Sequence, residues 1–246
     1  MNTTPNAKNL KIHVYADGAN KDAILKRAQE GFVKGFTTNP SLMAKAGVKD
    51  YAGFAKSLLA ELKTHPISFE VFSDDFEQME KEAMIINSWN TFGGNNVYVK
   101  IPVINSENKS SAPLIRRLLD KKLKLNITAI FTMEQLDALR AVLKPEDDVL
   151  VSLFAGRLAD NGWDPLPLVR KAVADFKPFP KAQILWASTR EVYNVYQAEE
   201  LGCHIITAPD DIIGKLMTVG VKSAEDLSID TVKTFLKDSK SAGLSL

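Results

Sequence analysis

A (β/α)8 barrel followed by one more helix is the fold the sequence predicts, and three observations carry that expectation. Short segments rich in valine, isoleucine and phenylalanine alternate with longer amphipathic ones along the chain. Strict alternation of this kind implies a parallel sheet covered by helices. Eight such units in 246 residues match the size of a closed barrel. The competing architecture is an open doubly wound sheet, but "ADGANKD" after the first strand candidate is not the GxGxxG pattern of that fold. No Pro/Gly/Ser-rich linker interrupts the pattern, so residues 1–246 read as one domain, with the barrel over about 12–217 and the terminal helix over about 223–242.

The eight strand candidates, in order, are "IHVYAD", "GFTTN", "ISFEVF", "NVYVKIP", "LKLNITAIF", "DVLVSLFAG", "QILWAS" and "HIITA". Helical spacing is clearest over 74–90, 110–121, 132–143, 164–176 and 191–201. Thr132, followed by Glu134 and Gln135, has the form of a helix start, and Gly202 the form of a stop.

Composition narrows the function. Thirty-one basic residues face 30 acidic ones, so no global field points to nucleic acid or to an anionic membrane surface. The opening "MNTTPNAKNLK" is polar and no apolar run approaches membrane-spanning length, which predicts a cytoplasmic protein. Cys203 is the single cysteine, and His13, His65 and His204 have no ligand spacing, so neither a disulfide nor a metal centre is expected.

Strand parity locates the chemistry. In "VYVKIP", Val97, Val99 and Ile101 share one face while Tyr98 and Lys100 share the other, which puts Lys100 inside the barrel near the C-terminal mouth. Val14 and Ala16 take one face and Asp17 the other, Glu70 opposes Phe69 and Val71, and Asn126 and Thr128 oppose Ile127. Asn39, Ser188 and Arg190 close their strands with polar groups. Polar residues at one level of successive strand ends are the makings of a barrel active site.

A lysine amine surrounded by apolar strands is poorly solvated, which penalises the charged form; bringing such a group from about 10.4 to neutrality corresponds to roughly 4 kcal/mol. A neutral amine attacks a carbonyl to form an imine, whose protonated form draws electrons from the neighbouring carbon–carbon bond. Such aldol chemistry needs a carboxylate to shuttle protons, here Asp17 or Glu70. Arg157, Ser188 and Arg190 follow late strands, where barrels commonly hold phosphate.

Six segments in order, "GFTTNPSL", "VKIP", "LNITAIF", "FAGRLAD", "WASTR" and "GCHIITAP", resemble the transaldolase family, which includes the fructose-6-phosphate aldolases. The resemblance implies Lys100 as the Schiff-base lysine, Asp17 as acid/base, and Glu70 with Thr128 as the pair that orients a water. It implies that Asn39 and Asn126 hold the hydroxyls of a dihydroxyacetone unit, that Arg157, Ser188 and Arg190 receive the acceptor phosphate, and that no cofactor is needed. Glu70, Asn126 and Phe154 look like the transaldolase branch, where the aldolase branch usually has glutamine, glycine and tyrosine. The short chain looks like the aldolase branch, whose rings of five or ten subunits make a homo-oligomer through residues 229–241 an expectation.

The expected function is therefore transfer of a dihydroxyacetone unit between sugar phosphates through a Lys100 imine. Direct aldol cleavage of fructose 6-phosphate is the alternative, and a non-catalytic sugar-phosphate binding barrel a third reading. The chain departs from the family pattern in the loop "INSENKSSAPL" after Lys100, at Leu153 where proline is common, and at Thr189 where phenylalanine is common.

Overall fold

The computed structural model describes residues 7–94 and 96–245; part of the polar opening stretch and Asn95 of the "NNVYVKIPV" run lie outside the described residues. Among the described residues, eight strands form a closed (β/α)8, or TIM, barrel in which every strand pairs in parallel with its sequence neighbour and the last with the first. The strands are β1 (His13–Asp17), β2 (Gly35–Thr37), β3 (Ile67–Glu70), β4 (Val97–Pro102), β5 (Leu125–Ile130), β6 (Val149–Leu153), β7 (Ala182–Trp186) and β8 (Ile205–Ala208). The helices are α1 (Lys21–Glu30), α2 (Pro40–Lys45), α3 (Tyr51–Glu61), α4 (Phe76–Ser88), α5 (Asn90–Gly93), α6 (Ala112–Asp120), α7 (Met133–Arg140), α8 (Ala155–Asp160), α9 (Leu166–Asp175), α10 (Tyr193–Glu200), α11 (Asp210–Leu216) and α12 (Ala224–Ser241).

The barrel body spans Lys11–Ile213, and residues 7–10 and 214–245 belong to a second compact unit. Within that unit α12 opens with a capping box in which Ser223 and Asp226 satisfy each other's backbone amides. No helix of the described residues is long and apolar enough to cross a membrane.

Several elements are shorter than the sequence suggests, for local reasons. "GFTTN" stops at Thr37 because Asn39 turns away and caps α2, its Oδ1 accepting from the Leu42 amide at 2.9 Å, with Pro40 in the first turn. "DVLVSLFAG" stops at Leu153 because Ala155 begins α8. The stretch 74–90 divides into α4 and α5 about Trp89. Thr132 does cap α7, reciprocally with Gln135.

Parity sorts the layers. Val97, Val99 and Ile101 of β4 face the helices and are completely buried. One layer below the mouth, Tyr15, Leu150, Leu185 and Ile205 pack together inside the barrel, with Tyr98 and Phe154 against them. The Tyr98 hydroxyl donates to Asp148 Oδ1 at 2.7 Å, so a tyrosine enters this layer without an orphaned polar atom. Gly35 is required beside it: a Cβ there would lie 2.5 Å from the Tyr15 ring. This filled floor closes the barrel beneath Lys100.

Candidate active site

The polar layer above that floor is built by register. Glu70, Lys100 and Asn126 are cross-strand partners on β3, β4 and β5, and Asp17 pairs with Thr37 on β1 and β2. Lys100 Nζ lies 3.2 Å from Glu70 Oε2 and donates to the Thr38 carbonyl at 3.2 Å, with only 6% of the lysine side chain exposed. At this depth the amine has a carboxylate and a carbonyl as its protein partners.

Asp17 faces the same cavity from β1. Its Oδ1 accepts from Thr37 Oγ1 at 2.8 Å, and Thr37 Oγ1 lies 2.5 Å from Thr207 Oγ1. The threonine has one proton and spends it on the carboxylate, so Thr207 is the donor in the second bond. Burial raises the Asp17 carboxyl above its ordinary value, while the Lys100 charge and the Thr37 hydrogen bond pull it down.

Asn126 is fully buried and oriented at both ends: Nδ2 donates to Ser68 Oγ at 2.9 Å and Oδ1 accepts from Ser152 Oγ at 2.6 Å. Thr128, two residues on, also lines the cavity, and its buried hydroxyl has no protein partner. Directly after it the chain bulges, with Ala129 at φ 57° and the β5–β6 register shifting.

The far wall is differently made. Phe154 is the ring beneath Arg157, whose guanidinium carbon lies 5.1 Å above it. Arg190 is held by Asp160, Nη2 to Oδ2 at 2.6 Å, with both side chains nearly half exposed. The two segments carrying these arginines touch closely, since a Cβ on Gly156 would come within 1.6 Å of the Ser188 carbonyl, and Ser188 itself takes the left-handed conformation at φ 64°.

Asp17, Asn39, Lys100, Asn126, Thr128 and Phe154 thus line one cavity of about 120 Å3, together with Arg157, Ser188 and Arg190. Glu70 is not on its wall but reaches it through Lys100. Three polar lining residues were not anticipated, Thr37, Ser152 and Thr207, nor were the apolar Leu185 and Ala187. Parity could have found Ser152, which lies in phase with Leu150 on the inward face of β6. The loop after Lys100 contributes nothing to the wall. Ile104 bridges Ser110, and Ser106 binds Asp74 through both its amide and its hydroxyl, so the loop docks on the segment after β3. Among the described residues no group of three or more His, Cys, Asp or Glu is placed to hold a metal.

Fold and site together define a barrel with a buried lysine–carboxylate centre and an arginine-bearing rim. The chain belongs to the Transaldolase/Fructose-6-phosphate aldolase family, whose sequence profile matches residues 14–246. It is 34% identical over 227 residues to a "Probable transaldolase" of Streptococcus equi subsp. zooepidemicus, covering 91% of this chain and 96% of that one. A "Probable transaldolase" of Thermoanaerobacter sp. is 33% identical over 234 residues, covering 94% of this chain and 99% of that protein. Among solved structures, 2,3-dimethylmalate lyase, of the PEP mutase/isocitrate lyase superfamily, shares the fold with a TM-score of 0.56 at 12% identity, covering 96% of this chain and 85% of that one.

Proposed function

We propose that the protein is a transaldolase that moves a dihydroxyacetone unit from a ketose phosphate to an aldose phosphate. The observation that carries the reading is the Lys100 amine, buried in a polar layer 3.2 Å from a carboxylate, in a cavity that also holds Asp17, Arg157 and Arg190. The amine adds to the ketose C2 carbonyl, and loss of water gives a protonated imine. The C3–C4 bond then breaks, its electrons entering the iminium to leave an enamine on Lys100, while Asp17 takes the C4 hydroxyl proton and the shorter aldose departs. The acceptor aldehyde reverses these steps: a new C3–C4 bond forms and Asp17 returns the proton to the alkoxide. Water then adds to the imine carbon and releases the new ketose. Glu70 and the partnerless hydroxyl of Thr128 are the groups in this reading that orient that water.

Asn126, braced by two serines, and the free amide nitrogen of Asn39 bind the hydroxyls of the three-carbon unit. Arg157, Ser188 and Arg190 bind the phosphate of the acceptor. Phe154 supports transfer over simple aldol cleavage, because it lines the cavity without a hydroxyl that could protonate the enamine before the acceptor arrives. The exposed apolar side chains of Ile229, Val232, Phe235 and Leu236 on α12 support the homo-oligomer expected from the sequence, a reading checked by light scattering.

Borohydride reduction in the presence of fructose 6-phosphate tests the chemistry. The expected result is a covalent adduct on the peptide containing Lys100, absent in Lys100→Ala. Its absence in the parent protein removes the imine mechanism. Turnover of donor alone, with free dihydroxyacetone released as fast as in the presence of acceptor, identifies an aldolase instead.

A further inference from the structure

The strand that carries Glu70 loses its neighbour at the residue that matters. In a parallel ladder the bonds repeat every second residue. Phe36 donates to the Pro66 carbonyl and Thr38 to the Ser68 carbonyl, so the next bond of the series would run from the Glu70 amide to the Thr38 carbonyl. It is not made there. The chain has already turned at Asn39 into α2, and the Thr38 carbonyl accepts from Lys100 Nζ instead.

Tyr51 fills the gap from outside the barrel. Its hydroxyl accepts from the Glu70 amide at 2.9 Å and donates to the Glu70 carbonyl at 3.1 Å, replacing the bond that β2 would have made at the amide and satisfying a carbonyl that β2 could not, because residue 40, next in the series, is a proline without an N–H. The ring is wedged by Phe69, Phe72 and Trp89, with centroids 5.9, 4.6 and 5.5 Å away, and the helix that carries it is fixed at its start by Asp50, which caps the Gly53 amide. Burial, the largest influence, pushes this phenol above its ordinary value, so it is a neutral hydroxyl across the working pH range. On the other side of β3, Val71 donates to the Lys100 carbonyl. The backbone of Glu70 is therefore held from both sides.

We infer that Tyr51 is a positioning residue for the reaction: by substituting for strand β2 at Glu70, it fixes the carboxylate against Lys100 and the Thr38 carbonyl is left free to hold the amine. The inference rests on the Lys100 imine chemistry proposed above and deepens it. Tyr51 touches no substrate; it acts through Glu70.

A double-mutant cycle between Tyr51→Phe and Glu70→Gln, read in kcat, tests it. Phenylalanine keeps the ring contacts and removes only the hydroxyl. Tyr51→Phe is expected to lower kcat about tenfold in the parent background, with KM for the phosphorylated acceptor changed less than about twofold, because the arginines lie on other strands. In the Glu70→Gln background the same substitution is expected to change kcat less than about threefold, since the carboxylate it positions is gone. An unchanged kcat, or the same tenfold loss in both backgrounds, overturns the inference while leaving the imine chemistry standing. Failure to trap any adduct on Lys100 in the parent protein removes both. Amide exchange in the parent gives a check that needs no variant: Glu70 should exchange within about tenfold of Val71, whose amide is in the ladder, and an unprotected Glu70 amide overturns the inference.

Discussion

The cavity has two walls made on different principles. On one, Asp17, Lys100, Asn126 and Thr128, with Glu70 behind Lys100, all sit on strands, where the ladder fixes the backbone and neighbouring side chains fix the rotamers. On the other, Arg157 is on a short helix, Ser188 and Arg190 follow the end of β7, and the guanidinium of Arg190 is nearly half exposed. Water is largely excluded from the first wall and reaches the second. Bond-making groups need fixed geometry and a low dielectric, whereas a phosphate handle must be captured and released from solvent. The division assigns rate to the strand wall and acceptor affinity to the rim.

Asp17 is where that division can be broken most visibly. Asp17→Ala should reduce kcat by about 10²–10⁴-fold, the range of a lost general acid/base, while borohydride still traps some imine on Lys100. Near-normal turnover would remove Asp17 from the mechanism. The same carboxyl is also a cost to the fold, because burial raises it above its unfolded value of about 3.9. A group raised in this way holds more protons folded than unfolded, so stability falls as pH climbs from that unfolded value through the folded one. Asp17→Asn should therefore raise Tm at neutral pH, and the gain should vanish below about pH 3.9, where both states carry the protonated acid. A Tm that is unchanged or lowered at pH 7 would mean that Lys100 compensates the charge fully.

The two walls also differ in how far the sequence betrayed them. Alternation on a strand has a fixed period, so Lys100, Glu70, Asn126 and Thr128 could be put on the inner face by counting from Val97, Phe69 and Ile127. Beyond the last strand residue that periodicity ends. Nothing in "WASTR" announces that Ser188 takes a left-handed conformation or that Gly156 lies under its carbonyl, and nothing in "FAGRLAD" announces that Asp160 pairs with Arg190. For that wall the sequence offered polar residues that follow late strands, the resemblance to a family implied their role, and the structure shows that they share a cavity. Tyr51 was illegible for a third reason: its partner is a backbone group, and a backbone hydrogen bond leaves no mark on the sequence of the residue that makes it. The loop "INSENKSS" carries the opposite lesson, since its unusual sequence belongs to a turn docked on Asp74 and not to the wall of the cavity.

The rim can be tested by its effect on KM. Removing a charged hydrogen-bond donor to a phosphate costs about 1.5–3 kcal/mol, so Arg157→Ala should raise KM for a phosphorylated acceptor by roughly tenfold to a hundredfold. With an unphosphorylated aldehyde of the same length the variant and the parent should converge. A comparable loss with both acceptors would show that Arg157 serves the chemistry and that the walls are not separate.

The smallest effect discriminates most finely. Asp160 holds Arg190 at 2.6 Å in a pair nearly half exposed to water, where ion pairs contribute about 0–1 kcal/mol. Two consequences compete when Asp160→Asn removes its charge: the guanidinium loses its brace, and the phosphate loses a rival for it. If the rim works by capture from solvent, the rival matters more than the brace, and KM for the phosphorylated acceptor should fall by up to about fivefold with kcat unchanged. If Arg190 instead needs the same fixed geometry as the strand wall, KM should rise. The sign of that change, measured at low and at high salt because screening weakens an exposed pair, decides whether the second wall is a solvated clamp or an extension of the first.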